Sequence, residues 1–243
     1  MQPRKPERMR RWLTQRHRVA SIPRLFNEFA TMPPAKPIIP FTDYCRIFRV
    51  IYSVLDGRAH THRACIFFAV AGAILLRQHY KVDALPVAGA AAYMVDAKTS
   101  LVATFGKIED DMLVATPDAF HCWVQYDGYA IDFMAPVFRE NLQATGISHA
   151  TPRKMFQRPL AAMATTEDEL NCDGAFSLFP DPERTQSMIQ NFESTASSGD
   201  LANVCTHWYR RPPKRIAESM DMANDLGKVI RLQLHGPDVS GVW

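Results

Sequence analysis

The sequence has few cysteines, and their arrangement argues against two common kinds of cross-link. Its 243 residues include five cysteines at wide spacings, without a Cys-x-x-Cys motif. An odd number of scattered cysteines does not fit a disulfide framework or a zinc ribbon, and it favours a reducing, cytoplasmic compartment. One His-x-His pair, His60 and His62, has no evident further ligands. The sequence therefore predicts neither a metal site nor a cofactor.

The sequence also lacks a long apolar run and a large excess of charge of one sign. The longest apolar run, Ile66 to Leu76, is too short for a membrane span, which needs about 20 residues. No apolar stretch follows the basic N-terminus, as a signal peptide would require. The net charge of +3 is too small to indicate a nucleic-acid partner. We therefore expect neither a membrane nor a nucleic acid as partner.

The chain divides into a basic arm and one larger domain. Residues 1–40 are rich in arginine and end in the segment Met32–Pro40, whose four prolines predict an extended linker. A role for this arm at a nucleic acid or a membrane surface is an alternative, although basic runs are usually solvated. Residues 41–243 are predicted to form a single domain, with a core over residues 42–136 and an α/β extension over residues 137–243.

Hydrophobic periodicity predicts helices before strands in the core. Thr42 is expected to cap a helix that runs to Leu55, and a second helix, from Arg63 to Tyr80, is apolar nearly all round and should be buried. Four strands should follow, over Val87–Val95, Ser100–Gly106, Ala119–Tyr126 and Tyr129–Pro136. In the extension we predict helices from Pro182 and from Leu201, and a late strand over Lys228–Leu234.

The last two core strands are joined by Asp127-Gly128, a strong signal for a two-residue hairpin turn. Counting back from this turn places Trp123 opposite Asp132, and directly opposed residues share a face. One face then carries His121, Trp123, Gln125 and Asp132, and the other is apolar. Diagonal neighbours lie roughly 7–8 Å apart at the backbone, so His121 and Asp132 can form a hydrogen bond.

Cys65 has the most suitable setting for a nucleophile among the five cysteines. It lies in the first turn of the predicted buried helix, where the helix dipole and unpaired N–H groups lower a thiol pKa. The same N–H groups can bind an oxyanion. A free cysteine is more often an inert core residue, and the catalytic interpretation depends on the downstream hairpin. His62, Trp123 and Gln125 are the candidates for lining a pocket around it.

The order of these features resembles a known group of enzymes. Cys65 in RACIFFAVAGAILL, His121 in AFHCWVQYDGY and Asp132 in AIDFMAP resemble the transglutaminase-like branch of the papain-like cysteine superfamily, which includes the arylamine N-acetyltransferases. The block is also similar to an uncharacterised bacterial family of that group. The resemblance implies an α+β fold in which the nucleophile helix packs on an antiparallel sheet, with extra helices at both termini. It also implies a Cys65–His121–Asp132 triad.

From the triad we expect cysteine-dependent acyl transfer, or hydrolysis of an amide or thioester, through an acyl-enzyme intermediate. The substrate would be a small molecule or a peptide that carries such a bond. Water as acceptor would make the protein a hydrolase, and an amine would make it a transferase; the sequence does not decide between them. The alternative is a non-catalytic ligand- or protein-binding module on the same scaffold.

Overall fold

The computed structural model describes residues 37–223 and 227–243. The predicted basic arm and most of the proline-rich linker lie outside these ranges. Five α-helices occur in the described part of the chain: α1 Phe41–Leu55, α2 Cys65–Leu75, α3 Phe138–Ala144, α4 Pro182–Ser194 and α5 Ala196–Trp208. None of these helices is long and apolar enough to cross a lipid bilayer.

The first two helices differ from the prediction at their ends. The N-cap of α1 is Pro40, whose carbonyl accepts hydrogen bonds from the N–H groups of Asp43 and Tyr44. The prediction of Thr42 as the cap was therefore wrong, because the extended backbone of Pro40 already starts the helix. Helix α2 begins at Cys65, and the last predicted residues, Leu76–Tyr80, form a wider helical turn.

Ten strands occur in the described ranges, and all their ladders are antiparallel. Six form the central sheet: β1 Leu85–Asp96, β2 Leu101–Phe105, β5 His121–Tyr126, β6 Tyr129–Asp132, β7 Phe156–Pro159 and β8 Phe176–Pro180. Two small hairpins stand apart from it: β3 Lys107–Glu109 with β4 Met112–Val114, and β9 Ser219–Ala223 with β10 Val229–Gln233.

Strand β1 is the centre of the sheet because three strands pair with it. β5 pairs with its first half, β2 pairs with its second half, and β8 pairs along its middle. Gly89 pairs with both His121 and Pro180, so these two residues lie at opposite edges of β1. β6 and β7 extend the sheet beyond β5. Two strands from the predicted extension, β7 and β8, thus belong to the same sheet as the strands of the core.

Helix α2 packs against the apolar face of the β5–β6 hairpin. A Cβ atom on Gly72 would lie 2.3 Å from Cδ2 of Phe133, so the helix backbone touches this ring. Cys122, Val124 and Ile131 share the face with Phe133 and are fully buried, as the hairpin pattern predicted. The protein is therefore an α+β protein, in which helices pack on an antiparallel sheet. This agrees with the α+β class that was expected, while the expected extra helix at the N-terminus falls outside the described residues.

Candidate active site

The hairpin has the register that was predicted from its turn. Val124 pairs with Ile131, and Tyr126 pairs with Tyr129 across Asp127-Gly128. The turn residues have φ angles of +47° and +73°, and a two-residue type I′ turn requires positive φ at both positions. This local geometry fixes which side chains share a face, and it brings the His and the Asp of the hairpin together.

His121 and Asp132 form a short, buried hydrogen bond. Nε2 of His121 lies 2.6 Å from Oδ2 of Asp132, and the side chains are 0% and 1% exposed. A charge-assisted hydrogen bond of this kind is stronger in a buried site than in water. The carboxylate therefore sets the orientation of the ring and favours its protonated form.

Three further hydrogen bonds hold Asp132 in place. The backbone N–H of Met134 donates to Oδ1 at 2.8 Å, and the hydroxyl of Tyr93 donates to Oδ2 at 3.0 Å. The hydroxyl of Tyr44 donates to the backbone carbonyl of Asp132 at 2.5 Å. One carboxylate oxygen is thus bound from the chain just after β6 and the other from β1, while Tyr44 of α1 holds the backbone of Asp132. Asp132 cannot turn away from His121 without breaking these bonds.

Aromatic rings enclose His121. The ring of Phe105 stacks on the imidazole at a centroid distance of 4.2 Å, and Trp123 lies further out at 6.5 Å. Tyr93 and Phe138 approach by their edges at 5.8 and 5.9 Å. These four rings come from β1, β2, β5 and α3, so they surround His121 only in the folded protein. They shield the hydrogen bond between His121 and Asp132 from water.

Cys65 meets this pair from the start of α2. Because Nε2 of His121 is occupied by Asp132, Nδ1 is the ring atom left for the thiol, and Nδ1 is buried without another partner in the described residues. A hydrogen bond with Cys122 has the largest effect on the pKa of the Cys65 thiol. Together with the hydrogen bond and charge of His121, it outweighs the effect of burial and lowers the pKa of Cys65 to about 5.

The pKa of the His121 imidazole is shifted upward, in the opposite direction to that of Cys65. Burial disfavours the imidazolium, but the charge and hydrogen bond of Asp132, with a smaller effect of Cys65, outweigh it and raise the pKa of His121 to about 9. Between these two values Cys65 is a thiolate and His121 is an imidazolium. Such an ion pair is the reactive form of a cysteine nucleophile.

Cys122 lies on the apolar hairpin face, as the alternation along β5 predicts, but its contact with Cys65 was not predicted. This is the face that α2 covers. Burial, and then the Cys65 thiolate beside it, raise the pKa of Cys122 well above its usual value. The contact could have been expected, because an apolar helix that begins with one cysteine packs on the strand face that carries the other.

A surface pocket of about 440 Å³ opens over Cys65 and His121. Its other lining residues come from the loop before α2, the first turn of α2, the end of β2 and the residue after it, the approach to β5, the chain just after β6, and α3 and its C-terminal end: His62, Arg63, Ile66, Thr104, Phe105, Gly106, Asp118, Ala119, Phe120, Met134, Asn141 and Thr145. No side chain in the described part of the chain caps helix α2 at Ala64, and the N–H groups of a helix's first turn can bind an oxyanion in such a pocket.

The three predicted pocket residues have different positions. His62 lines the pocket with Cys65, as expected. Trp123 is fully buried beside His121 and does not line it. Gln125 lines a separate, mainly apolar pocket of about 480 Å³ near the start of α4. The alternation along β5 placed both residues on the His121 face. Trp123 is buried among the aromatic rings around His121, and Gln125 lies too far along the strand to reach the pocket.

Within residues 37–223 and 227–243, we find no group of three or more His, Cys, Asp or Glu side chains that could hold a metal ion. His60 and His62 are neighbours, with ring centroids 5.6 Å apart, but they have no third ligand of these types in that part of the chain.

Comparison with known proteins places the chain in a family. Residues 40–243 match the family described as "Protein of unknown function (DUF2026)". The chain belongs to this family. The DUF2026 match includes every helix and strand that carries the site. A solved structure described as "The crystal structure of genomics APC5867" is similar to this chain, with 39% sequence identity and a TM-score of 0.75. The similarity covers 85% of this chain and 98% of that one. A comparison with curated proteins gave no match.

Proposed function

We propose that this DUF2026 protein is a cysteine-dependent enzyme that transfers an acyl group or hydrolyses an amide or thioester. The observation that carries the proposal is the continuous array of Asp132, His121 and Cys65 at the base of a pocket. An orienting carboxylate, a base and a nucleophile in this order are the parts that such a reaction needs.

Each residue of the array has a role in the proposed reaction. The Cys65 thiolate attacks the substrate carbonyl, and the N–H groups at the start of α2 stabilise the oxyanion that forms. When the carbonyl–leaving-group bond breaks, His121 gives its proton to the leaving amine or thiolate. Water or an amine then attacks the thioester on Cys65, His121 takes the proton from it, and the carbonyl–sulfur bond breaks, which releases the product and returns Cys65 to its thiolate form. Asp132 keeps the ring in position and stabilises its charge.

The architecture supports an affiliation with transglutaminase-like and papain-like enzymes. The nucleophile begins a buried helix, that helix packs on an antiparallel sheet, and the histidine and aspartate face each other across one hairpin of the sheet. These are the features that the sequence resemblance implied. The affiliation is part of our proposal, as is the choice of an amide or thioester substrate.

Alkylation of Cys65 tests the proposal before a substrate is known. The folded protein is treated with iodoacetamide at pH 6, and the alkylated fraction of Cys65 is compared by mass spectrometry with that of the exposed Cys172. We expect Cys65 to react faster, although it is much less exposed. His121→Ala should slow the reaction, because loss of the hydrogen bond and charge of His121 raises the pKa of Cys65 above about 5 and lowers the ionised fraction of the thiol at pH 6.

Two outcomes would refute the catalytic proposal. Either Cys65 reacts no faster than Cys172 in the folded wild-type protein, or His121→Ala leaves its rate unchanged while circular dichroism shows a native fold. Both would favour a binding module on this scaffold. If the proposal holds, mass spectrometry of the tryptic peptide 64–77 after incubation with cell extract should reveal an acyl adduct, whose mass identifies the substrate class.

A further inference from the structure

Cys65 and Cys122 are free thiols that lie in the same buried core cluster. Their side chains are hydrogen-bonded to each other. The packing of α2 supports this contact independently, because α2 packs directly on β5 and Cys65 lines the pocket together with His121, the residue before Cys122. The helix therefore lays its first residue over the first part of β5. In the acyl-transfer mechanism described above, Cys122 stabilises the Cys65 thiolate but takes part in no step that makes or breaks a bond to the substrate.

We propose that Cys65 and Cys122 are a peroxide-sensitive pair that closes to a reversible disulfide when hydrogen peroxide oxidises Cys65. This modification goes beyond the proposed function and does not depend on acyl transfer. It requires that Cys65 be an accessible thiolate and that Cys122 lie beside it. Reactive cysteines that sense oxidants are accessible, have a low pKa and often have a second thiol next to them.

The reaction balances in two steps. In the first, the Cys65 thiolate attacks one oxygen of hydrogen peroxide, the O–O bond breaks, and Cys65 becomes a sulfenic acid as hydroxide leaves. In the second, the sulfur of Cys122 attacks the Cys65 sulfur, the S–O bond breaks, and the hydroxyl leaves as water with the Cys122 proton. Hydrogen peroxide is reduced by two electrons, and the two thiols are oxidised by two.

Accessibility gives the two cysteines different parts. Cys65 is 8% exposed and lines the pocket, whereas Cys122 is 1% exposed and lies beneath it. Peroxide therefore meets Cys65 first, and Cys122 is placed to resolve the sulfenic acid. The Cys65 thiolate is one of the causes that raise the pKa of Cys122. This effect disappears once Cys65 has become a neutral sulfenic acid, which makes Cys122 a better nucleophile for the second step.

The pair also protects the nucleophile. A sulfenic acid that is not captured is oxidised by further peroxide to a sulfinic acid, which common thiols do not reduce. A disulfide is reduced by thiol exchange, so Cys65 can be recovered. In the disulfide form the protein has no free Cys65 thiol, so Cys65 should not be alkylated.

Peptide mapping tests the inference directly. The intact protein is treated with hydrogen peroxide, its remaining thiols are blocked, and it is digested with trypsin. Cys65 and Cys122 lie in different tryptic peptides, 64–77 and 108–139, and neither contains another cysteine. We expect a disulfide-linked pair of these peptides that dithiothreitol separates. Sulfinic acid on Cys65 of the wild-type protein without this linked pair, or linkage of Cys65 to a different cysteine, would overturn the proposal.

Variants separate the role of Cys122 from general oxidation. After peroxide and then dithiothreitol, wild-type Cys65 should regain most of its alkylation, whereas Cys122→Ala should retain sulfinic acid and regain little. Cys172→Ala, which removes an exposed thiol, is the control and should behave as the wild type. Equal recovery in Cys122→Ala would refute the pair, and Cys122→Ser provides a second substitution if the first does not fold. If Cys65 is alkylated rapidly but peroxide gives no disulfide-linked peptides, the disulfide proposal is wrong and the proposed function is unaffected.

Discussion

The hydrogen bond from Cys122 is expected to set the acidic limit of Cys65 reactivity. In the wild-type protein this bond is the largest of the causes that lower the pKa of Cys65 to about 5. Protonation below that pH removes the thiolate, so the alkylation rate should fall with a midpoint near pH 5. Cys122→Ala deletes the donor and leaves only His121 to stabilise the thiolate. The midpoint should therefore move upward.

The size of the change follows from the strength of such a bond. A hydrogen bond to a charged group contributes about 1.5–3 kcal/mol, and 1.36 kcal/mol corresponds to one pKa unit. We therefore expect the midpoint of Cys122→Ala to lie about one to two pH units above that of the wild type. Burial disfavours the thiolate in both proteins, so it does not offset the change.

The assay is the rate of iodoacetamide labelling of peptide 64–77 between pH 4 and 8, at constant ionic strength. Cys205→Ala is the matched control, since it removes a fully buried thiol from α5, and its midpoint should equal that of the wild type. An unchanged midpoint in Cys122→Ala, with the fold verified by circular dichroism, would show that the thiol contact does not stabilise the thiolate. The electrostatic account of the site would then be wrong.

Two further predictions concern the support of the site and are measured by urea unfolding. Tyr93→Phe removes the hydroxyl that donates to Asp132 and should lower the free energy of unfolding by about 1.5–3 kcal/mol; an unchanged value would mean that this bond contributes nothing net. Gly72→Ala forces a methyl group into the ring of Phe133 and should cost about 1–3 kcal/mol. Its control, Gly199→Ala in α5, has open space among the described residues and should gain about 0.5–1 kcal/mol. Equal effects of the two substitutions would contradict the close contact between α2 and the sheet.

The parts of the structure that could be predicted are those determined by residues close together in the sequence. The β5–β6 register follows from Asp127-Gly128, because the positive φ angles of this turn allow one pairing, and the alternation of side chains then places His121 and Asp132 on one face. The buried helix α2 follows from the apolar run Ile66 to Leu76, although it starts at Cys65 and not at the predicted Arg63. Residues 137–180 contain several turn-forming residues and no hydrophobic periodicity from which helices or strands could be predicted.

The parts that were missed depend on contacts between distant segments. Strands β7 and β8 are short, and they are strands because β6 and β1 offer them hydrogen-bonding edges. The rings of Phe105 and Phe138 reach His121 from separate elements, so no spacing in the sequence relates them. Tyr93 bonds to Asp132 only because β1 crosses the middle of the sheet. The pocket is lined by several such elements, and alternation along β5 alone could not predict it.

The place of β8 in the sheet has a consequence for how the protein forms during synthesis. β8 pairs with the alanine-rich middle of β1, where Gly89 has no room for a side chain beside the backbone of Phe179. Until the ribosome has released residue 180, that edge of β1 has unpaired backbone groups, and an open edge can bind another nascent chain. Pairing between segments so far apart in sequence is also slow. A nascent chain that ends after the β5–β6 hairpin would contain all three proposed catalytic residues but not the finished sheet. We therefore expect a truncated protein of this kind to aggregate.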